Sequence, residues 1–565
     1  MQRFTRSCVA SGITQKQTLG PSFLWLSLLA TVNSSQYISG AFALLVSAIA
    51  ALGDATARDS QASACAQFAP DDIPGVTVTA ATYFPAYARV DITNIFSSIN
   101  TTDLPAFCRV ELKVTTNATA GSFANTEVWL PDAWTGRTLT IGNGGFGGGV
   151  TVADLGGIAV PQGFVGISTN TGHNSTVLDG SWAGPHNDNA IVDWGWRAIH
   201  LSVVAGKEVA SQYYDQTPKK SYYAGCSTGG RQGLKEIQMF PDSFDGILVG
   251  APANFMTHHE AWAAHMSLNV LPVTSSRFIP ESVWINVIAP EVMCQCDALD
   301  GLSDGIINDP RVCSFRPEVL TCTPGQDTST CLTGDQINAL HRIYADYYEA
   351  DQTYIFGGYQ PGGEKLYARG LVGAAPFPLL QDWFRFFVTN DTQWTPDQFN
   401  ASLITLSEQV NPGQADAISP NLTAFAGAPH NGKVLHYVGW ADQLISAGRA
   451  DQLPPPPPPR VGGQAANAFG AVSQPAPLSL DAEHNIIAAM VRWVEDGVAP
   501  SQIVGVKYNN DLPSNGIAFT RPICKYPTTV RYQGGDPNSA SSFVSVHQNA
   551  RITGLRHTIT VHLCE

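Results

Sequence analysis

The sequence predicts an α/β protein with a mainly parallel sheet and a second domain inserted into it. From about residue 109 to 250, short apolar strand patterns alternate with helical ones, which is typical of parallel sheets. From about 254 to 430 this rhythm is lost, and five cysteines lie between Cys294 and Cys331. The strand pattern resumes at Lys433, so the insertion interrupts one core.

The elements of the first core part follow in chain order. The segment "RTLTIGNGGFGGG" predicts a strand that breaks into a glycine-rich loop, and "GFVGISTNTGH" predicts another short strand. Apolar spacing from Ala198 to Tyr214 predicts a helix. The segment "SYYAGCSTGGRQGLKEIQMF" predicts a strand, a sharp turn and a helix, and "FDGILVGAPA" predicts a strand followed by a loop.

The second core part begins after the insertion. The segment "KVLHYVGWAD" predicts a strand that ends at Asp442, and "EHNIIAAMVRWVEDG" predicts an amphipathic helix closed by Gly497. The predicted organisation is an N-terminal segment over 1–64, a first core part over 65–254, an inserted domain over 255–430 and a second core part over 431–565.

Composition limits the class of partner. Of the 565 residues, 44% are hydrophobic and only 14% are charged, and the formal net charge is -15. An acidic surface of this kind disfavours nucleic acids and anionic membranes as partners. The chain is long enough to bury a large core, and its composition fits a soluble acidic protein.

The N-terminal segment, residues 1–64, predicts a signal peptide. Basic residues precede the apolar runs "FLWLSLLA" and "AFALLVSAIAAL", and small-residue cleavage patterns end at Ala57 and Ala64. Each run is shorter than the roughly 20 residues that span a bilayer. The alternative is a membrane anchor. With the signal removed, we expect a secreted protein that is not bound to a membrane.

Two further patterns are typical of secreted proteins. Cysteines number 11, and in an oxidising compartment those beyond Cys8 are expected to form disulfides. The pair Cys294 and Cys296 has no second pair at the spacing of a zinc site. Beyond the N-terminal segment 1–64, acceptor sequons for N-linked glycans occur at six asparagines: Asn100, Asn117, Asn174, Asn390, Asn400 and Asn421.

The segment Gly225–Gly229, "GCSTG", matches the turn that carries a nucleophilic serine. The serine of such a turn sits between a strand and a helix, where small neighbours let the backbone pass. Ser227 is therefore the candidate nucleophile, and the N–H of Thr228 is a candidate donor to the oxyanion. The alternative is a purely structural glycine turn.

Two other features match the partners that such a serine needs. The glycine-rich loop follows the strand "LTI", and Gly144 or Gly145 is the candidate for the second oxyanion donor. The alternative is a plain flexible loop. Asp442 follows a later strand, where the acid of a Ser–acid–His set is found. An aspartate that only caps a turn is the alternative there.

With these motifs, the chain resembles the tannase and feruloyl esterase family of secreted α/β-hydrolases. The resemblance rests on "SYYAGCSTGGRQG", "CDALDGLSDGIINDPRVC", "VLHYVGWADQLISAG", "ANAFG", "MVRWVEDGVAPSQIV" and "TRPICKYP", in family order. It implies an α/β-hydrolase fold with a large inserted lid domain and a serine esterase for phenolic acid esters. It also implies Ser227 as nucleophile, Asp442 as acid, and Cys226 cross-linked to a cysteine beside the catalytic histidine.

The resemblance further implies a structural Ca²⁺ site in the lid. A short glycine-bearing loop with clustered carboxylates suits this hard cation. The alternative is a cluster of Asx turns without a metal. The implied ligands are the carboxylates of Asp297, Asp300 and Asp304 and the carbonyls of Leu302 and Ile306; the implied disulfides are Cys296–Cys313 and Cys322–Cys331.

One family motif is absent. The family has a His-Cys pair shortly before "ANAFG", where this chain reads "RVGGQAANAFG". Only the 23 residues Gln443–Ala465 separate Asp442 from that segment, and six consecutive prolines exclude a helix plus a central strand there. The remaining histidines considered as replacements are poor candidates for the base: His436, His484, His547, His557 and His562.

Two explanations account for the short interval. A coding segment was lost near Pro454, or the chain is a degenerate relative that still binds phenolic esters. The abrupt proline run favours the first.

The predicted function is a secreted ester hydrolase acting on a small phenolic ester or plant cell-wall ester. The alternatives are an inactive ester-binding relative and a non-enzymatic surface protein. The lid aromatics Trp262, Tyr354 and Trp383 are candidates for the acyl pocket, with core packing as the alternative.

Overall fold

The computed structural model of the protein describes residues 60–448, 460–461 and 466–547, with the backbone alone for 460–461. The predicted signal peptide and its cleavage sites lie outside these residues. So do His557, His562 and Cys564. Among the described residues, no helix has the length and apolar character needed to cross a bilayer.

The strands of the described residues lie between Val76 and His547. In chain order they are β1 (Val76–Phe84), β2 (Val90–Thr93), β3 (Ser98–Thr101), β4 (Phe107–Asn117), β5 (Ser122–Pro131), β6 (Arg137–Ile141), β7 (Phe164–Thr169), β8 (Lys220–Cys226), β9 (Gly246–Gly250), β10 (Tyr347–Tyr348), β11 (Tyr354–Phe356), β12 (Lys433–Gly439), β13 (Arg460–Val461), β14 (Gln502–Tyr508), β15 (Ile517–Cys524), β16 (Thr528–Tyr532) and β17 (Phe543–His547).

The central sheet has the strand order β1-β4-β5-β7-β6-β8-β9-β12-β13. From β7 to β13 all neighbours are parallel, whereas β1, β4, β5 and β7 pair antiparallel. The predicted parallel sheet is therefore confirmed for the half that carries the serine turn. The antiparallel half comes from residues that the sequence patterns did not assign.

Helices cover the sheet and form most of the insertion. They are α1 (Val152–Asp154), α2 (Asp188–Val192), α3 (Ala198–Tyr214), α4 (Thr228–Met239), α5 (Met256–Leu268), α6 (Glu281–Val283), α7 (Ala289–Cys296), α8 (Gly334–Tyr344), α9 (Glu364–Tyr367), α10 (Pro378–Asp382), α11 (Ala401–Val410), α12 (Thr423–Ala426) and α13 (Ile486–Asp496).

The insertion lies between two strands that are neighbours in the sheet. β9 ends at Gly250 and β12 begins at Lys433, yet the two pair in parallel register. The chain between them is mainly helical and packs around its own aromatic core. Trp262 and Trp383 belong to that core and are fully buried, so they are packing residues and do not line an open acyl pocket.

Two predicted boundaries need correction. β12 ends at Gly439, and Asp442 lies on the turn that follows it instead of ending the strand. His484 lies outside α13; the helix is capped by Asn485, whose side chain accepts from the N–H groups of Ile487 and Ala488. The other end of α13 agrees with the prediction, because Gly497 closes it with φ of 74°.

The sheet ends in an edge that is only partly covered. β13 pairs with β12 at Val438 and Gly439 alone. Among the described residues, no strand pairs with the outer edge of Lys433–Tyr437. An apolar cavity of about 230 Å³ lies beside this edge, with walls from β12, α13 and β14. We call this region the open edge.

Candidate active site

Ser227 lies on the sharp turn between β8 and α4. Its φ and ψ angles are 59° and -122°, a region that favours glycine. Its small neighbours are required, because a Cβ atom on Gly225 would lie 2.5 Å from the backbone of Gly229. The Ser227 hydroxyl makes no capping hydrogen bond and is half-buried, so it faces the space at the carboxyl edge of the sheet.

The glycine-rich loop lies against the first turn of α4. Thr228 Oγ1 donates to the carbonyl of Gly145 at 2.9 Å, and a Cβ on Gly229 would lie 2.6 Å from the Asn143 carbonyl oxygen. The N–H groups of Gly144 and Gly145 donate to no acceptor among the described residues. These two groups and the N–H of Thr228 are therefore the available oxyanion donors.

The loop is fixed from its outer side. The carbonyl of Phe146 accepts hydrogen bonds from His173 Nε2 at 2.9 Å, Ser175 Oγ at 2.8 Å and Trp182 Nε1 at 2.9 Å. Burial lowers the pKa of His173, which favours the neutral ring. Since its Nε2 donates to a carbonyl, His173 serves as an anchor for the loop and not as a base for Ser227.

A buried arginine fixes α4 from the other side. Arg231, one turn after Ser227, is fully buried, and its guanidinium lies 4.3 Å from the ring centre of Trp194. Its Nη1 donates to the carbonyls of Gly195 and Ala415 at 2.8 and 3.3 Å. Sequence patterns gave no sign of this role, because its partners are distant in the chain.

Asp442 lies beyond the carboxyl end of β12, two strands from β8. Its Oδ1 accepts from the N–H groups of Leu444 and Ile445, both at 2.9 Å. Burial raises the pKa of Asp442, while these two bonds and the charge of His259 act in the opposite direction. Its Oδ2 forms no hydrogen bond among the described residues.

Cys226 connects the two candidate residues. Burial, and then the charge of Asp442, raise the pKa of the Cys226 thiol to about 11, so the thiol interacts electrostatically with that carboxylate. The thiol also hydrogen-bonds to the phenol of Tyr437. Cys226 is a free cysteine here, so the cross-link implied by the family resemblance is not formed. Cys524 is likewise a free thiol and contacts Ser545.

No histidine of the described residues hydrogen-bonds to Ser227 or to Asp442. His436 is buried on β12, His484 bonds to Asp481 at 2.9 Å, and His547 is exposed on β17. The sequence contains no histidine between His436 and His484. The structure therefore brings together a candidate nucleophile, oxyanion donors and an acid, without a positioned base in its described part.

The acidic loop lies in the insertion, where disulfides join Cys296 to Cys313 and Cys322 to Cys331. These are the pairs that the resemblance implies; a third bridge, Cys65–Cys108, was not predicted.

The carboxylates of this loop bind mainly to backbone groups. Asp297 Oδ1 accepts from three N–H groups, those of Asp304, Gly305 and Ile306. The Asp304 Oδ2 pairs with Arg521 Nη2 at 2.5 Å. Three or more acidic, histidine or cysteine side chains do not converge into a metal-binding group anywhere in the described ranges.

The parallel sheet and the serine turn at its carboxyl edge define the chain as an α/β-hydrolase. Comparison with known proteins gives its family. The family model described as "Tannase and feruloyl esterase" matches residues 108–377 and 462–546. The chain therefore belongs to the tannase and feruloyl esterase family, whose members are carboxylic ester hydrolases. The unmatched interval contains both Asp442 and the proline run.

Similar proteins agree with this assignment. The chain is 33% identical over 503 residues to the "Probable feruloyl esterase B-2" of Aspergillus oryzae, an alignment that covers 84% of this chain and 94% of that protein. It is 34% identical over 508 residues to "Feruloyl esterase C" of Talaromyces stipitatus, covering 85% and 94%.

Solved structures extend the likeness to the fold. Feruloyl esterase B from Aspergillus oryzae superposes with a TM-score of 0.79 at 32% identity, covering 86% of this chain and all of that chain. The tannin acyl hydrolase of Aspergillus niger gives 0.64 at 20% identity, over 86% of this chain and 94% of that chain, which indicates a common fold.

Proposed function

We propose that the chain is a serine esterase for phenolic acid esters that forms its acyl-enzyme on Ser227 and has no positioned base among its described residues. The observation that carries the proposal is the Ser227 hydroxyl on a strained turn, beside the N–H groups of Gly144 and Gly145, with Asp442 at the same carboxyl edge of the sheet. The names of the similar feruloyl esterases and tannin acyl hydrolase support the phenolic acyl group.

The reaction follows from the roles of these groups. Ser227 Oγ attacks the ester carbonyl, and the N–H groups of Thr228 and the Gly144–Gly145 segment stabilise the charge on the carbonyl oxygen. The hydroxyl proton passes to a base and then to the departing alcohol. Water then attacks the acyl carbonyl, its proton passes through the base to Ser227 Oγ, and the phenolic acid is released. Asp442 Oδ2 is the free acceptor that would orient the base.

The experiment supplies the base from solution. Turnover of methyl ferulate by the purified chain is expected to rise with imidazole concentration, by about 10- to 100-fold, because a base in free solution replaces only part of the 10²–10⁴-fold effect of a positioned one. The rise is expected to saturate and to be absent with Ser227→Ala. A rate that is proportional to imidazole with or without Ser227 would show that the protein takes no part.

An ester-binding protein without turnover is the second candidate. It is favoured by the absence of a histidine from Gln443 to Glu483. Binding of ferulate measured by calorimetry, combined with no turnover at any imidazole concentration, would support it.

Sequencing the transcript across Gly448–Gly470 separates the two explanations of the short interval between Asp442 and Ala466. Additional codons for a His-Cys pair would identify a lost coding segment.

Calcium is proposed as a structural ion of the acidic loop. The residue types suit it, because carboxylate and carbonyl oxygens are the ligands that Ca²⁺ prefers, but their side chains do not converge in the described ranges and would have to move together to hold the ion. Burial, and to a smaller extent the charges of Asp304 and Asp297, raise the pKa of Asp300 to about 6. Arg521 neutralises Asp304, while Asp297 and Asp300 form no ion pair with a basic side chain among the described residues. The ion would be held by Asp297, Asp300, Asp304 and the carbonyls of Leu302 and Ile306.

Thermal unfolding tests the calcium proposal. Millimolar Ca²⁺ is expected to raise the Tm above its value in EDTA by several degrees, because ligand binding to the folded state alone contributes about 2.7 kcal/mol at 100 times Kd. Mg²⁺ is the control ion and should leave the Tm unchanged, since it requires a tighter octahedral site. Asp300→Asn should remove the Ca²⁺ effect. Equal Tm values in Ca²⁺ and EDTA would contradict the proposal.

Secretion and glycosylation are proposed from the N-terminal segment and the sequons. Five of the six sequon asparagines are exposed. Asn117 is the exception, because it is half-buried and its Nδ2 donates to Asn189 Oδ1 at 2.9 Å. Glycans are therefore expected at Asn100, Asn174, Asn390, Asn400 and Asn421 and not at Asn117.

A further inference from the structure

The turn that carries Asp442 is held by hydrogen bonds from the insertion, residues 255–430. Tyr359 Oη donates to the carbonyl of Gln443 at 2.6 Å. His259 Nε2 contacts the carbonyl of Leu444 at 2.8 Å. Both side chains are buried, Tyr359 at 1% exposure and His259 at 6%. Each contact joins residues far apart in sequence, so it fixes the insertion to this turn.

These contacts involve the same two peptide groups that bind Asp442. The carbonyl of Gln443 and the N–H of Leu444 belong to one peptide group, and the carbonyl of Leu444 and the N–H of Ile445 belong to the next. Each N–H donates to Asp442 Oδ1, and each carbonyl accepts from an insertion side chain. Two continuous hydrogen-bonded chains therefore run from the insertion to one carboxylate oxygen. Such chains polarise each bond along their length.

The environment of His259 determines its protonation. Its Nε2 faces a carbonyl, which only accepts, so this nitrogen carries a proton. Its Nδ1 lies 3.1 Å from the carboxylate of Glu260, a second acceptor. Burial opposes the charged ring, but Glu260, the Leu444 carbonyl and the charge of Asp442 outweigh it and raise the pKa of His259. Both ring nitrogens of His259 thus face acceptors, and one of the two chains begins at its Nε2–H.

We propose that His259 and Tyr359 are positioning residues that orient the Asp442 carboxylate through the peptide groups of Gln443–Leu444 and Leu444–Ile445. They fix Oδ1 and leave Oδ2 directed to the place of the base. The insertion thus supports the acid. This proposal rests on the proposed function, in which Asp442 orients the base.

Kinetic measurements test the proposal in the full chain. Tyr359→Phe removes only the hydroxyl, and His259→Leu removes the donor. Each is expected to lower the kcat of imidazole-supported turnover by about 5- to 30-fold with KM unchanged, the size of one or two lost hydrogen bonds to a charged network. His259→Gln retains a donor and is expected to recover part of the loss. His265→Leu is the matched control, because His265 lies on the same helix and bonds to Asn269.

Thermal unfolding separates this proposal from a failure of the proposed function. If wild type shows no turnover at any imidazole concentration, the proposed function fails and the unfolding data decide the present proposal. His259→Leu is expected to lower the Tm by about 2 °C more in the wild-type background than in Asp442→Asn, because the two sites are coupled. If the Tm change caused by His259→Leu is the same in both backgrounds, or if His265→Leu lowers kcat as much as His259→Leu does, the proposal is overturned.

Discussion

Ser227→Ala is expected to reduce ester hydrolysis by about 10³-fold or more and to abolish its saturable dependence on imidazole. The substitution removes the atom that we propose to form the acyl-enzyme, and the oxyanion donors and substrate binding leave only a residual rate of about 10³–10⁴-fold over water. The measurement is the initial rate of methyl ferulate hydrolysis across imidazole concentrations. A fluorophosphonate probe should label the wild type and not the variant. Labelling of Ser227→Ala would identify another nucleophile.

Ser227→Gly is the matched variant, because it separates chemistry from backbone strain. The φ angle of 59° at Ser227 is unfavourable for any residue with a Cβ atom. Glycine relieves about 1–3 kcal/mol of that strain, partly offset by its conformational entropy. We expect Ser227→Gly to lose activity like Ser227→Ala but to raise the Tm by about 1 to 3 °C. Equal Tm values for the two variants would show that the turn is not strained.

Gly145→Ala is expected to lower kcat by about 10²–10³-fold, the effect of losing one oxyanion donor. Gly145 has φ of +53°, and a Cβ atom there would lie 2.3 Å from the Val177 carbonyl oxygen. The loop must therefore shift, and its N–H groups leave the position beside Thr228. Steady-state kinetics with saturating imidazole give kcat and KM separately, and we expect the change in kcat alone.

Gly144→Ala is the control for that substitution. A Cβ atom at Gly144 would lie 3.9 Å from its nearest neighbour, the ring of Phe96, so the side chain has room. We expect a change in kcat of less than about threefold, because a methyl group in open space leaves the backbone in place. Losses of equal size in the two variants would contradict the assignment of Gly145 as the constrained position.

The sequence predicted those parts of the site that depend on neighbouring residues. The strand, turn and helix around Ser227 follow from "SYYAGCSTGG", because only small residues fit beside such a turn. The helix Ala198–Tyr214 follows from its apolar spacing and has these same ends in the structure. The resemblance, carried by several motifs in order, identified the family that the comparisons confirm.

Contacts between distant residues were not predictable from the sequence. The bond from Tyr359 to the Gln443 carbonyl joins residues 84 positions apart, and that from His259 to the Leu444 carbonyl joins residues 185 apart. The anchoring of the Phe146 carbonyl by His173 and Trp182 is of the same kind. The antiparallel strands β1, β4 and β5 were missed, because a strand pattern does not itself show which strand is its neighbour or in which direction the two pair.

The open edge has a consequence for how molecules of this protein behave toward each other. A strand edge that has no neighbouring strand, as here among the described residues, is a template for a strand of another polypeptide. Here the apolar cavity described above lies beside the edge. The segment that follows β12 in the sequence contains the proline run, and prolines cannot donate the hydrogen bonds of a further strand. At high concentration the protein is therefore expected to self-associate through this edge, which lowers the fraction of monomer. A longer transcript that supplied one more strand would protect it.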